Sequence, residues 1–224
     1  MKKLLLLLLS ISFASAKVHM VNKDTNMGAA VKSWIEIKNT HLVRQQHDYS
    51  CGSAALSTIL TYFYDRNVSE QEVLDSVMKM KGLTKNSSLE EYKKANGLSF
   101  MDLSIYAASK VFRPLGLALD MDALQKIKIP LILYVKIRKS EHFTVYKGMD
   151  DAYVYLADPS FGNTKVKRSK FEEMFYQRED LKYPGKVLAI FPPKGKQIEK
   201  DSDFMSIPPR SGLIKETIRS QILK

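Results

Sequence analysis

The sequence is poor in cysteine, glycine and proline. Cys51 is the single cysteine among 224 residues, so no disulfide can form within the chain and a small disulfide-stapled fold is excluded. With only 10 glycines and 8 prolines, a collagen-like or low-complexity chain is excluded as well. A lone thiol is either buried as a small apolar group or used chemically. The count alone does not choose between these two interpretations.

Long apolar runs are lacking beyond the first residues. Residues 4–13 are almost wholly apolar, but a membrane-spanning helix needs about 20 such residues. Two lysines precede this run and Ala14-Ser15-Ala16 follows it, which is the three-part pattern of a secretory signal peptide. The sequence therefore predicts a signal peptide at residues 1–16 and an exported protein, periplasmic or secreted. A short retained membrane anchor is the less favoured alternative.

The chain also lacks the marks of a nucleic-acid-binding protein. Its formal net charge is +11, but no basic face is interleaved with stacking aromatics and no binding motif is recognisable. We therefore expect no nucleic-acid partner. The charge predicts a solvated basic surface with mild attraction to anionic partners.

The predicted helices precede the predicted strands. Apolar spacing predicts a helix from Cys51 to Phe63, and capping-box patterns open helices at residues 70–80 and 100–112. The apolar pattern then changes, and strands are predicted at residues 129–135, 142–147, 153–157 and 186–191, with a short helix at 169–176. This order predicts an α+β domain with an antiparallel sheet.

Four segments follow from these patterns. The signal peptide is followed by a lead-in arm at residues 17–39, the main domain at 40–192 and a basic extension at 193–224. The extension begins as a flexible linker, because residues 194–210 are polar and contain proline. Residues 211–224 predict an amphipathic helix. We expect this helix to dock on its own domain; a partner protein or weak contact with an anionic membrane surface are the alternatives.

Cys51 lies at the predicted start of the first helix. A helix N-terminus carries partial positive charge and free N–H groups, which favour a thiolate over a thiol. Gly52 follows, and a glycine there lets a substrate backbone approach closely. A thiolate that attacks an amide also needs a base and a group that holds this base in one tautomer.

His142 and Asp158 are candidates for these two roles. His142 opens a predicted strand and Asp158 ends the next one, so antiparallel pairing would place both at the same end of the sheet. Taken alone, a histidine on a strand is more often an ordinary surface or core residue. Six residues before Cys51, Gln45 could direct its amide at the oxyanion of a tetrahedral intermediate. Gln46 beside it is the alternative for that role.

Three motifs in this sequence resemble those of the double-glycine, or bacteriocin-processing, peptidases. Residues 45–56 (QQHDYSCGSAAL) are similar to the nucleophile motif of that family, and residues 142–148 (HFTVYKG) and 156–159 (LADP) to its histidine and aspartate motifs. The resemblance covers residues 40–192. It implies a papain-like fold with an N-terminal helical half packed on an antiparallel sheet. It also implies Cys51 as nucleophile, His142 and Asp158 completing a triad, Gln45 in the oxyanion hole, and no metal or organic cofactor.

The predicted signal peptide sets this chain apart from many members of that family. Those members are domains of peptide-exporting transporters, whereas this chain resembles the stand-alone exported members, some of which accompany secretion systems for surface fibres or amyloid. The expected function is that of a cysteine endopeptidase that cuts after small residues, of the Gly-Gly type, in a secreted protein or peptide client. A non-catalytic client-binding module and a transpeptidase that passes the thioester to an amine are the alternatives.

Overall fold

A computed structural model describes residues 17–22, 25–30, 33–83, 87–88, 90–91, 98–195 and 202–206. The chain divides between Ile37 and Lys38 into two units. In the first unit, strands β1 (Lys17–Asn22) and β2 (Thr25–Ala30) pair as an antiparallel hairpin. Helix α1 (Trp34–Asn39) follows this hairpin. The hairpin lies within the segment predicted as a lead-in arm, where no strand pair was expected.

Short helices precede the sheet of the second unit and also lie between its strands. Their bounds are α2 (Cys51–Thr58), α3 (Glu70–Met80), α4 (Phe100–Ser109), α5 (Met121–Lys126) and α6 (Arg168–Phe175). A single π-helical turn, Ile59–Phe63, continues α2. Ser69 accepts a hydrogen bond from the Glu72 N–H at the start of α3, and Ser99 and Asp102 form a complete capping box on α4. The predicted starts of these two helices are therefore confirmed.

Six of the described strands form one antiparallel sheet in the order β3-β8-β4-β5-β6-β7. These strands are β3 (Arg113–Leu119), β4 (Leu131–Ile137), β5 (Ser140–Met149), β6 (Tyr153–Asp158), β7 (Gly162–Lys167) and β8 (Gly185–Phe191). The four strands expected from the sequence are present, whereas β3, β7 and helix α5 were not predicted. Both unexpected strands lie at the edges of the sheet.

The sheet carries a hydrophobic core on each face. Because side chains alternate along a strand, Ile132 and Val145 pack with Leu56 of α2 on one face, while Leu131 and Tyr146 belong to the core on the other. Helix α6 covers the second face, where Phe171 and Phe175 are fully buried. Helices packed on an antiparallel sheet confirm the predicted α+β class.

Part of the predicted linker belongs to the core. Ser202–Met205 forms a 3-10 helix, and the Phe204 side chain is fully buried, 6.0 Å from the Phe63 ring between centroids. The Lys147 ammonium group lies 4.9 Å from the centroid of the Phe204 ring. The prediction of a flexible linker is thus wrong at residues 202–206, because an aromatic side chain there fills the space beside the π-helical turn.

Two predicted segments lie outside the described residues. They are the signal peptide at residues 1–16 and the amphipathic helix at residues 211–224. In the part of the chain that the structure describes, every helix is too short or too polar to span a bilayer.

Candidate active site

Cys51 is the first residue of α2, directly after a fixed turn. The buried Ser50 hydroxyl donates to the His47 carbonyl at 2.8 Å and accepts the His47 N–H at 3.1 Å. This closed pair of hydrogen bonds sets the direction in which the chain enters the helix. The first N–H groups of a helix have no partner within it, so the Cys51 N–H stands at a site that favours negative charge.

Gly52 lies against the sheet, where a side chain would be tightly packed. A Cβ atom at this position would lie 3.0 Å from Cδ2 of Phe143 and 3.4 Å from methyl groups of Leu98 and Leu103. Phe143 itself follows His142 on β5. A glycine after the cysteine therefore lets α2 approach the strand that carries the histidine.

His142 and Asp158 are in direct contact at one end of the sheet. Strands β5 and β6 are antiparallel neighbours, and Asp158 is the last residue of β6. The His142 Nε2 atom lies 2.9 Å from Oδ2 of Asp158. Both residues are buried, with 9% and 2% of their surfaces exposed, so this ion pair is shielded from solvent.

The pKa values of the pair shift in opposite directions. Burial lowers the pKa of His142, but hydrogen bonds and charge interactions with Asp158 and Cys51 outweigh it and raise that pKa to about 9. Burial raises the pKa of Asp158, but the hydrogen bond to His142, its charge and the Phe161 N–H outweigh it, so this pKa is lowered. At neutral pH the pair is therefore imidazolium and carboxylate. Because Nε2 is bonded to Asp158, the other ring nitrogen, Nδ1, is the one available for the hydrogen bond with Cys51.

Gln45 lies at the same site with its amide held at both ends. Its Nε2 donates to the His47 carbonyl at 2.9 Å, and its Oε1 accepts the Ser160 hydroxyl at 2.5 Å. An amide nitrogen carries two hydrogens, so one N–H remains for an oxyanion. Gln46 is exposed, and its backbone N–H is bonded to the buried Glu70 carboxylate. The structure therefore favours Gln45 over Gln46 as the oxyanion candidate.

The loop after β6 adds two residues that sequence reasoning missed. The backbone N–H groups of Ser160 and Phe161 both donate to Oδ1 of Asp158 at 2.9 Å. The Phe161 ring, 53% exposed, meets the His142 ring edge-on with centroids 6.1 Å apart. The Asp-Pro-Ser-Phe-Gly turn was visible in the sequence, but nothing in it indicated that this turn holds the carboxylate.

Two other histidines of the second unit pack on tyrosine rings. His41 packs on Tyr62 and His47 stacks on Tyr49. Among the described residues, no three histidine, cysteine, aspartate or glutamate side chains converge as a metal site requires.

A thiol at a helix start, facing a buried histidine–aspartate pair on an antiparallel sheet, is the arrangement of papain-like cysteine peptidases. Residues 39–178 match the model of the peptidase C39 family. The chain belongs to this family, which confirms the resemblance inferred from the three motifs.

Relatives with the same domain are found in curated proteins and solved structures. The chain is 35% identical over 141 residues to a "probable functional amyloid protease FapD" of Pseudomonas fluorescens, and 33% identical to the protein of that name from Pseudomonas aeruginosa. Each match covers 63% of this chain and 59% of the relative, so the chain spans less than two thirds of these relatives' length. The peptidase domain of Streptococcus ComA, a bifunctional ABC transporter, has the same fold at 19% identity, with a TM-score of 0.51, over 67% of this chain and 97% of that domain.

Proposed function

We propose that this chain is an exported cysteine endopeptidase with Cys51 as nucleophile, His142 as acid and base, and Asp158 as the group that orients the histidine. One observation supports this assignment above all. The His142 ring interacts with Cys51 on one side and with a buried carboxylate on the other. This is the geometry that keeps an imidazole in the tautomer needed for proton transfer.

The reaction proposed for this site is amide hydrolysis in two steps. The Cys51 sulfur attacks the scissile carbonyl carbon, and its oxygen becomes an oxyanion that accepts hydrogen bonds from the Gln45 amide and the Cys51 N–H. The proton on His142 Nδ1 passes to the leaving amine as the carbon–nitrogen bond breaks. Water then attacks the thioester carbon and gives one proton to His142. The carbon–sulfur bond breaks, the carboxylic acid leaves, and the Cys51 sulfur and the protonated histidine are restored.

Cleavage after small residues of the Gly-Gly type is the proposed specificity. The space beside Cys51 supports it, because Phe143 already contacts Gly52, and Phe100 and Tyr134 pack on Phe143 with ring centroids 5.2 and 5.5 Å away. An aromatic wall beside the nucleophile leaves little width for a branched substrate side chain. Extended contacts with the remainder of the client would then orient the scissile bond.

The proposed client is a secreted protein or peptide of a fibre-forming system. Two observations support this choice: residues 1–16 have the pattern of a signal peptide, and two relatives carry the name functional amyloid protease. Proteolysis at this site would then serve the processing or secretion of that client.

The test is to incubate the purified protein with candidate secreted clients and to map each new terminus by mass spectrometry. We expect cleavage that is lost in Cys51→Ala and nearly lost in His142→Ala, whereas His41→Ala serves as the matched histidine control and retains activity. Each small residue before the cut is then replaced by valine. A narrow site predicts a loss in kcat/KM of at least about a hundredfold, or ~2.7 kcal/mol of transition-state binding. Losses under about threefold at both positions would end the Gly-Gly assignment but leave the peptidase assignment in place.

A further inference from the structure

The residue that follows the Asp158-Pro159 dipeptide is bonded to two parts of the site. Ser160 is half-buried in the turn between β6 and β7. Its backbone N–H donates to Oδ1 of Asp158 at 2.9 Å, and its hydroxyl donates to Oε1 of Gln45 at 2.5 Å. One residue thus contacts both the carboxylate beside the histidine and the amide beside the cysteine.

Further bonds fix the turn and the Gln45 segment to each other. The Gln45 N–H donates to the Pro159 carbonyl at 3.1 Å, and the Arg44 guanidinium group donates to the Ser160 carbonyl. The backbone of Gln45 is therefore held whether or not residue 160 carries a hydroxyl. In the Gln45 segment, the Ser160 hydroxyl is therefore bonded only to the side-chain amide, whose other end is bonded to the His47 carbonyl.

The two ends of that amide have different requirements. The His47 carbonyl can only accept, so it determines which end of the amide is nitrogen. The Ser160 hydroxyl holds the oxygen end and so restricts rotation of the side chain. A donor aimed at an oxyanion is effective only when it is fixed before the reaction starts, because it then needs no reorganisation as charge develops.

We propose that Ser160 is a positioning residue that holds the Gln45 amide in the orientation needed to stabilise the oxyanion. The inference rests on the proposed peptidase function. It assigns no contact between Ser160 and the substrate, since the hydroxyl acts through Gln45.

Acylation of Cys51 by N-acetyl-glycylglycine p-nitrophenyl ester tests the inference, because this activated ester forms an oxyanion without a client. We expect Gln45→Ala to lower kcat/KM about a hundredfold, as for loss of one oxyanion donor. Ser160→Ala should lower it about tenfold, the scale of one hydrogen bond. Ser160→Thr keeps the hydroxyl and should stay within about threefold of the wild type. In the Gln45→Ala background, Ser160→Ala should have no further effect, since coupled residues are not additive.

Alkylation of Cys51 by iodoacetamide is the control, because displacement of iodide forms no oxyanion. Ser160→Ala should leave this rate within about twofold of the wild type. A parallel fall in alkylation, a loss that persists in the Gln45→Ala background, or a tenfold loss in Ser160→Thr would overturn the inference. If Gln45→Ala lowers kcat/KM for acylation but Ser160→Ala does not, the inference about Ser160 is wrong while the proposed peptidase function stands. If the wild type shows no acylation that depends on Cys51, the peptidase function fails and the inference fails with it.

Discussion

Replacing Asp158 by asparagine should trap His142 in the wrong tautomer. The carboxylate accepts from His142 through Oδ2 and from two backbone N–H groups through Oδ1. An asparagine has one oxygen and one NH₂ group, so it cannot accept at both ends. If its oxygen stays with the backbone donors, its NH₂ group faces His142 Nε2, and the ring proton moves to Nδ1. A neutral ring in that tautomer cannot take a proton from Cys51 or from water.

The opposite orientation keeps the correct tautomer but leaves two buried backbone donors unpaired. Each such donor costs about 1–3 kcal/mol, so the correct tautomer is disfavoured by at least ~2 kcal/mol. Loss of the charge-assisted hydrogen bond to the imidazolium costs about 2 kcal/mol more. Together these effects amount to ~4 kcal/mol, and we expect kcat to fall about a thousandfold.

The assay is acylation and turnover of the p-nitrophenyl ester, with Asp122→Asn as the matched control because Asp122 is exposed on α5. Circular dichroism checks that both variants are folded. A loss of less than about tenfold in a folded Asp158→Asn variant that still depends on Cys51 would refute the tautomer argument. It would mean that the N–H groups of Ser160 and Phe161 do not determine the orientation of the asparagine amide in this variant.

The same pair predicts how stability depends on pH. Because the pKa of His142 is raised from 6.5 to about 9, its stabilisation is fully present below pH 6.5 and is lost as pH rises through about 9. The pKa of Asp158 is lowered from 3.8, so its stabilisation is present above pH 3.8 and is lost as pH falls below that value. The wild type should therefore exceed Asp158→Asn in unfolding free energy most between about pH 4 and 6.5, by up to about 3 kcal/mol. Denaturant titrations measure this difference in unfolding free energy between the wild type and Asp158→Asn. A difference that grows from pH 7 to 10 would contradict the predicted direction of the pH dependence.

Two further predictions concern stability. Val111 follows α4 with a φ angle of +71° and is 67% exposed, so Val111→Gly should raise the unfolding free energy by about 1 kcal/mol and the Tm by about 2–4 °C. Val111→Ala is the control that keeps a Cβ, and an equal gain there would show that backbone strain is not the cause. Phe204→Ala should lower the unfolding free energy by about 3–5 kcal/mol, because the ring is fully buried against Phe63. A loss under about 1 kcal/mol in urea titrations would mean that residues 202–206 are not part of the core.

The sequence predicted elements whose signals are local. Ser69 and Ser99 cap helices through bonds to residues three positions away, and such patterns are visible without tertiary structure. Helix α4 ends at Ser109 and not at Phe112 because Phe112 and Val111 donate to the carbonyls of Ala107 and Ala108. This is a Schellman ending without the usual glycine, so no residue type marks it in the sequence.

Elements stabilised by distant partners were missed. Pro114 and Gly116 made residues 113–119 resemble a helix stop, yet these residues form edge strand β3 by pairing with β8, from Arg113↔Phe191 to Leu119↔Gly185. Proline is tolerated at an edge strand, where one side of the backbone needs no partner. Helix α5 did have a local signal, since Asp120 accepts the Ala123 N–H at 2.7 Å as its cap.

The candidate site was predicted as far as residue chemistry and motifs allow. Cys51, His142 and Asp158 lie where those motifs implied, because the first begins a helix and the others end up on neighbouring strands. Residue chemistry alone did not separate Gln45 from Gln46, and the choice of Gln45 came from the family resemblance. The role of Ser160 was invisible, since its bond to Gln45 joins positions 115 residues apart.

The burial of Phe204 has a consequence for the order in which the core around the Cys51 helix is completed. The ring packs in the core beside the π-helical turn that extends the Cys51 helix, and it follows Cys51 by 153 residues (204 − 51) along the chain. Chains emerge from synthesis with their N-terminal part first, so a nascent fragment carries Cys51 long before it carries Phe204. Until residues 185–191 have also been made, the fragment lacks the strand that pairs with both β3 and β4. The core around the Cys51 helix is therefore complete only after residue 204 has been made, and a fragment that stops before it carries Cys51 on an incompletely packed helix.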